Sequence, residues 1–373
     1  MRLQTVLREW GRIGCIGFGG PPTHIVLLRA LCVERRRWLG ASEFEDAIAA
    51  CNLLPGPAST QLALYCAWRV RGRVGVLVGG AAFILPGLIV ILGLAAFFFG
   101  SPPLWARGAA AGAGAGVAAV AVQTALSLAP ESRKRARSPL RWLLYALAGA
   151  AATATIGPWL VLVLLSCGLV EIALQTVWGR LHTVMPALLA VAVPSGGLGA
   201  LAWVAIKVGA LSYGGGFVII PLMQADAVNR YHWLTSGQFL NAVALGQVTP
   251  GPVVQTVAVV GYAAAGLGGG LLAALIVFTP SFAFVLLGGP RFQQLRDNRT
   301  ARNFLAGAGP AAIGAILGSA IPLARALGEP WQYGVLAGAA LLLLVFRKGV
   351  VLTLLLAGAA GTVIVLVGAH LPH

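Results

Sequence analysis

Four stretches of glycine and proline, each set beside polar side chains, are where this sequence could do chemistry. They fall into two pairs: Gly19-Gly20-Pro21-Pro22 with Gly214-Gly215-Gly216, and Pro55-Gly56-Pro57 with Pro250-Gly251-Pro252. Proline in the first turn of a helix sacrifices no hydrogen bond. Helices are therefore expected to start near Pro21, Pro57 and Pro252, with free backbone N–H groups. Such N-termini hold anions through those N–H groups and the positive end of the helix dipole. Thr23, His24, Ser59, Thr60 and Gln61 cluster near the first pair of breaks, and Ser212, Tyr213, Thr249, Gln255 and Thr256 near the second. Asn52 and Gln247 lie on the approach to each Pro-Gly-Pro. Together these groups make a cradle for a tetrahedral oxyanion. A single break would read as a packing kink, whereas their pairing favours a site.

Charged residues inside apolar sequence are the next candidates, because ions at membrane depth are costly and usually functional. Lys207 precedes Ser212-Tyr213-Gly214, and Arg12 stands at the same offset before the first break. Both could compensate the charge of an anion, or could snorkel to an interface. Glu45, Asp46 and Asp226 are candidates for proton coupling, as is Glu171, with an ion pair or a helix end as the competing role. His24 could titrate near neutral pH or serve as a hydrogen-bonded structural residue. There is no GxxxxGK[ST] phosphate loop, no HExxH, and no paired His/Cys spacing, so no ATP drive, metal or cofactor is expected.

The elements that must position these residues are apolar helices. Of the 373 residues 58% are hydrophobic and 10% charged, against about 25% charged in soluble domains. A single soluble core could not hide that much apolar surface, so the fold expected is an all-α polytopic membrane protein. Lys and Arg number 26 against 10 Asp and Glu, a net charge of +16. The charges sit in short clusters between apolar runs, as positive-inside loops do, and no nucleic-acid partner is implied. Five scattered cysteines (Cys15, Cys32, Cys51, Cys66, Cys167) read as small buried hydrophobes. Arg8, Glu9 and Arg12 interrupt the first residues, which are not expected to be a cleaved signal. Runs long enough to cross about 30 Å of hydrocarbon are Val74–Phe99, Ala109–Ala129, Leu143–Val177 (split at Gly157-Pro158), Leu271–Leu287, Phe304–Leu323, Gln332–Phe346 and Val350–Val367. Gly112, Gly114, Gly116, Gly307 and Gly309 fit close helix packing through small residues.

Adding 195 to residues 18–57 exposes an internal repeat. Phe18-Gly19-Gly20-Pro21 falls on Tyr213-Gly214-Gly215-Gly216, Trp38-Leu39 on Trp233-Leu234, Phe44 on Phe239, and Pro55-Gly56-Pro57 on Pro250-Gly251-Pro252. With a one-residue slip Pro86 meets Pro280. Two homologous units are expected, 1–180 and 195–373. Basic loops of one half match charge-poor loops of the other. Arg69, Arg71 and Arg73 face an uncharged counterpart at 264–267. The basic loop 130–141 faces one in which Arg325 is balanced by Glu329, and the arginine-poor loop 100–107 faces one with Arg291, Arg296, Arg299 and Arg302. By the positive-inside rule equivalent loops lie on opposite faces, so the halves are inverted-topology repeats, an arrangement of secondary transporters. Inversion needs an odd number of crossings per half, and about five are expected. Segments 42–68 and 237–263 read as re-entrant hairpins with Pro-Gly-Pro at the tip, or as spans broken in the middle; Ser42 and Glu45 read as a capping box. Arg2, Arg8 and Arg12 argue for a cytoplasmic N-terminus. The later loops, with a full crossing at 10–32, argue for the opposite.

FGGPPTHI (18–25), Trp38-Leu39 and LPGPASTQ (54–61), repeated as SYGGGFVIIPLMQADAV (212–228), Trp233-Leu234 and TPGPVVQT (249–256), resemble the chromate ion transporter family in its long-chain, two-domain form. The resemblance covers nearly the whole chain. It implies a multi-pass protein of the bacterial inner membrane that exports chromate, a sulfate-like dianion, at the expense of the proton motive force and so confers resistance. The second half departs from the pattern: Gly216 stands where the first half has Pro21, nothing matches His24, and Gln255 falls one position earlier than Gln61. A passive oxyanion channel or a sulfate transporter would use the same architecture. An intramembrane enzyme would need a paired catalytic constellation, and none stands out. The partners expected are a chromate or sulfate-like dianion and the lipid bilayer; a homodimer is compatible with the sequence.

Overall fold

The computed structural model describes residues 2–52, 54, 56–155, 160–176, 196–212, 219–288 and 299–372, and these are helices and their connections, with no strand among them. In chain order they are α1 (Leu3–Ile16), α2 (Pro21–Arg29, continued by a wider turn over Ala30–Arg35), α3 (Ala41–Cys51), α4 (Ala58–Phe99), α5 (Leu104–Ala115), α6 (Val117–Arg135), α7 (Pro139–Thr155), α8 (Leu160–Thr176), α9 (Gly197–Leu211), α10 (Ile219–Gln224, continued over Ala225–Arg230), α11 (Ser236–Val248), α12 (Thr256–Gly288), α13 (Arg299–Arg325), α14 (Pro330–Ala340, continued over Leu341–Val345) and α15 (Val350–Leu366). Four helical stretches are long and apolar enough to cross a membrane: Ala58–Phe99, Leu104–Lys134, Val253–Gly288 and Arg299–Arg325. The expectation of an all-α membrane protein is met.

Backbone detail recurs at an offset of about 195. The wide helical turn at Ala30–Arg35 returns at Ala225–Arg230, and the left-handed Arg37 (φ 51°) returns at His232 (φ 52°). In α4 the helix is broken at Arg71-Gly72, and in α12 at Ala265-Gly266, with the same pair of dihedral angles within about 15°. Past those breaks α4 and α12 pack against each other. Gly80 lies against Phe282 and Gly270 against Leu92, so the two segments run antiparallel.

Close glycine contacts also place α1 and α2. Gly14 touches the backbone of Phe83, while Gly79 touches Val6 and Trp10, so α1 runs alongside the second segment of α4 from the same end. Glu9 then accepts hydrogen bonds from Arg35 and Arg36 at 2.6 Å each, and Trp10 stacks on Trp38 at 6.0 Å. Residues 3–36 therefore go in and come back out, with the turn at Gly17–Gly20. The expected full crossing at 10–32 is replaced by this hairpin, because the glycines at 19 and 20, both at positive φ, let the chain reverse. In the second half Lys207 of α9 pairs with Asp226 just beyond α10, which folds that segment back in the same way. The turn itself, Tyr213–Val218, lies outside the described residues.

Around this centre α7 and α8 pack on α13, and α15 packs on α5, each across the two halves. Small residues permit the contact, as expected: Gly112 meets Ala357 and Gly361, and Gly307 meets Cys167. The capping box expected at Ser42 and Glu45 is absent. The helix starts one residue earlier, at Ala41 with Gly40 as its cap, and Glu45 is drawn away to Arg29. A capping box does form at the start of the matching helix in the second half, between Thr235 and Gln238, whose repeat-mates are Gly40 and Glu43.

Candidate functional site

Each Pro-Gly-Pro segment needs a left-handed residue to turn between helices. Gly56 (φ 118°) and Gly251 (φ 93°) supply it where a side chain would be strained. Beyond the turn, α4 opens with Pro57 as its cap, and the N–H groups of Thr60 and Gln61 bond back to Pro57 O at 2.9 and 3.0 Å. In the second half Val253–Gln255 form a tighter first turn capped by Pro252, with Gln255 N–H on Pro252 O at 2.9 Å. That tighter turn coincides with the one-residue difference between Gln61 and Gln255. Helix α2 begins at Pro21 as expected, with Gly20 as its cap.

Each turn is seated on the proline kink of the other half. A methyl group on Gly87, next to Pro86, would collide with Pro250 O and crowd the Gln255 amide. A methyl on Gly56 would meet the Gln61 amide, and Ser281 Oγ, next to Pro280, lies 3.2 Å from the same point. Gln255 Nε2 donates to Ile84 O at 2.7 Å, spanning 171 residues of sequence. Gly251 N–H donates to Gly17 O at 3.0 Å, so the second Pro-Gly-Pro is bonded to the turn between α1 and α2. Three of the four breaks are thus brought together. Of the fourth, Ser212 is described and fully buried; Tyr213, Gly214, Gly215 and Gly216 lie outside the described residues, as does Pro55.

His24 is fully buried and ties two of these elements together. Its Nε2 lies 3.0 Å from Gly17 O and its Nδ1 3.4 Å from Ser59 Oγ. A carbonyl only accepts, so Nε2 carries the proton and the Ser59 hydroxyl donates to Nδ1. The ring sits edge-on to Phe83 at 5.0 Å. Gly17 O therefore accepts both from His24 and from Gly251.

Several buried polar atoms at this junction have no hydrogen-bond partner among the described residues: Thr60 Oγ1, Ser212 Oγ, Gln247 Nε2, Gln255 Oε1 and Ser281 Oγ. Ser281 was not singled out from the sequence; its position after Pro280, opposite Gly87 in the repeat, was the available signal. Thr249 and Thr256 hydroxyls bond within their own helices, to Leu245 O and Val253 O. Thr23 and Asn52 are half-buried, with Thr23 beside Gly19.

The charged candidates separate. Lys207 and Asp226 are both buried, 7% and 1% exposed, and form an ion pair. Lys207 is therefore not a lone cation awaiting an anion. Its repeat-mate Arg12 is exposed, because α1 turns that face away from α4. Glu45 is exposed and paired with Arg29; Asp46 is half-buried on α3. Glu171 accepts from Tyr145 at 2.9 Å, Gln175 at 2.6 Å and Arg141 at 3.4 Å, which fastens α7 to α8. No group of three or more potential metal ligands occurs among the described residues.

Known proteins resemble this chain over most of its length. The chromate transporter family model matches residues 4–172 and 199–362. The chain is 32% identical to the chromate transport protein of Cupriavidus metallidurans over 338 residues, 87% of this chain and 83% of that protein. It is 31% identical to the probable chromate transport protein of Synechococcus elongatus over 337 residues (87% and 85%), and 29% identical to the chromate transport protein of Pseudomonas aeruginosa over 341 residues (85% and 80%). No solved structure matches the chain.

Proposed function

The chain belongs to the chromate transporter family, and on that premise we propose that it is a secondary active transporter exporting chromate across a bacterial inner membrane, driven by protons. The observation that carries the reading is the set of buried polar atoms with no partner among the described residues where the helix breaks meet. Leaving one such group unsatisfied costs about 1–3 kcal/mol, so a cluster of them calls for a polar occupant. Hydroxyls of Thr60, Ser212 and Ser281, the Gln247 amide and the N–H groups opening α4 are donors suited to a tetrahedral dianion. Gln255 Oε1 only accepts, which suits a water or a protonated oxyanion.

In this reading residues 1–180 and 195–373 are inverted repeats, with the substrate held where their breaks meet. The antiparallel packing of α4 on α12 supports it. So does charge: Arg35–Arg37, Arg73, Arg302, Arg347 and Lys348 gather toward the end where α1 and the second segment of α4 begin, as cytoplasmic loops do. The hairpin of α1 and α2 supports a cytoplasmic N-terminus, since it puts Leu3 at that same end. Asp226 is the coupling carboxylate: it is buried and holds Lys207, so protonating it would free a cation beside the site. Glu45 and Asp46, nearer solvent, are the weaker choices.

The test is chromate flux into proteoliposomes under an imposed pH gradient. Flux that follows the gradient is expected. Absence of both chromate and sulfate flux overturns the reading, gradient-independent flux makes the protein a channel, and sulfate flux without chromate flux makes it a sulfate carrier.

A further inference from the structure

A cavity of about 800 Å³ opens at the far end of the fold, between the α4–α5 connection, the start of α11, and the segment after α15. It follows one stripe of α11, through Thr235, Gln238, Asn241 and Leu245, which are spaced three or four residues apart and so share one helix face. Leu245 and Val259 are its lining residues nearest in sequence to the Pro250–Pro252 turn, which makes them its floor. Leu245 stands four residues before Thr249, and Val259 three residues after Thr256. At 1.5 Å per residue Leu245 lies about 7.5 Å, and Val259 about 11 Å, along their helices from the Pro250–Pro252 turn. The cavity is far larger than one oxyanion. Arg107 is the one charged side chain among its described lining residues, which include no carboxylate. Arg107 makes no ion pair among the described residues and is exposed.

The repeat sharpens this chemistry. Subtracting 195 carries Gln238 and Asn241 onto Glu43 and Asp46 of α3. One half thus offers neutral amides where the other offers carboxylates, and Glu43 is further tied to Arg69 and Tyr65. A dianion is repelled by carboxylates and tolerated by amides.

We propose that this cavity is the aqueous vestibule of the transport path on the face of the α4–α5 connection, and that Arg107 is the fixed cation that concentrates oxyanions in it above the Leu245–Val259 floor. The proposal rests on the transporter reading for its substrate, while its test does not. A fixed charge at a low-dielectric mouth raises the local concentration of counter-ions.

Asn241→Cys, and separately Leu245→Cys, would be placed in the full chain carrying Cys15→Ser, since Cys15 is the exposed native cysteine. Membranes would be treated with two impermeant thiol reagents of equal size, one anionic and one cationic. Cys at 241 should react with both, and Cys at 245 more slowly. Adding Arg107→Gln should shift the anionic-to-cationic rate ratio by roughly tenfold toward the cation. If neither position reacts, the cavity is closed or lipid-filled and the proposal is overturned. It is overturned equally if the ratio ignores Arg107→Gln. Labelling that behaves as expected in a protein that moves no chromate would uphold the vestibule and reject the substrate.

Discussion

At the scale of single residues, the site depends on atoms that the chain forces close. Gly87 is the sharpest case, because any Cβ there would overlap Pro250 O. Gly93, one and a half turns along the same helix, has open space at its Cβ. Gly87→Ala is expected to destabilise by about 1–3 kcal/mol through overpacking and to cut flux, whereas Gly93→Ala leaves both near wild type. Thermal melts and flux on the pair check it; equal behaviour would mean the seat of Pro250 on α4 is wrong. The Lys207–Asp226 pair gives a second test. Lys207→Met strands a buried carboxylate and should cost about 3–5 kcal/mol, while Lys207→Met with Asp226→Leu should regain most of that. If Asp226 couples protons, the double variant folds but its flux no longer responds to pH. Retained pH response would assign the pair to structure alone. Sequence exposed both residues as intramembrane charges but kept them apart. Hydrophobic periodicity does not tell whether two helices flanking a glycine run continue or fold back, and only the fold-back makes these two partners.

At the scale of elements, the breaks were legible and their geometry was not. Pro21, Pro57 and Pro252 mark helix starts because proline chemistry is local. The reversal of α1 and α2 depends on Glu9 reaching Arg35 and Arg36, a contact no local pattern encodes. Capping shows the same limit. Ser42 and Glu45 have the right spacing, yet the helix starts at Ala41, so Ser42 lies inside it and Glu45 pairs with Arg29 instead. Thr235 and Gln238 meet no competitor and close the box. Thr235→Ala should therefore cost about 1 kcal/mol, with faster amide hydrogen exchange in the first turn of α11. Ser42→Ala should change α3 exchange little. The reverse order of effects would show that the caps are misassigned.

At the scale of the whole molecule, charge and packing direction make one argument. An apolar body can sit in a bilayer either way up, and the loop cations decide which. If the halves are inverted, their equivalent loops lie on opposite faces, and basic loops from both halves collect on one face. The antiparallel α4 and α12 place the loop at Arg73 with the end of α12, while Phe99 stacks on Tyr262 at the opposite end, 5.9 Å between centroids. Lys348 lies at the start of α15 and belongs with Arg73. Thr362, near the end of α15, donates to Trp105 O at 3.1 Å, so it belongs with Phe99. Single cysteines at Arg73 and Lys348 should therefore be shielded from an impermeant reagent in intact cells and labelled in inverted vesicles. Cysteines at Ser101 and Glu329 should show the opposite. The decisive comparison is Arg73 with Lys348, since they come from different halves and are not repeat equivalents. Labelling of those two from opposite sides would break the inversion and, with it, the placing of one substrate site where the two sets of helix breaks meet.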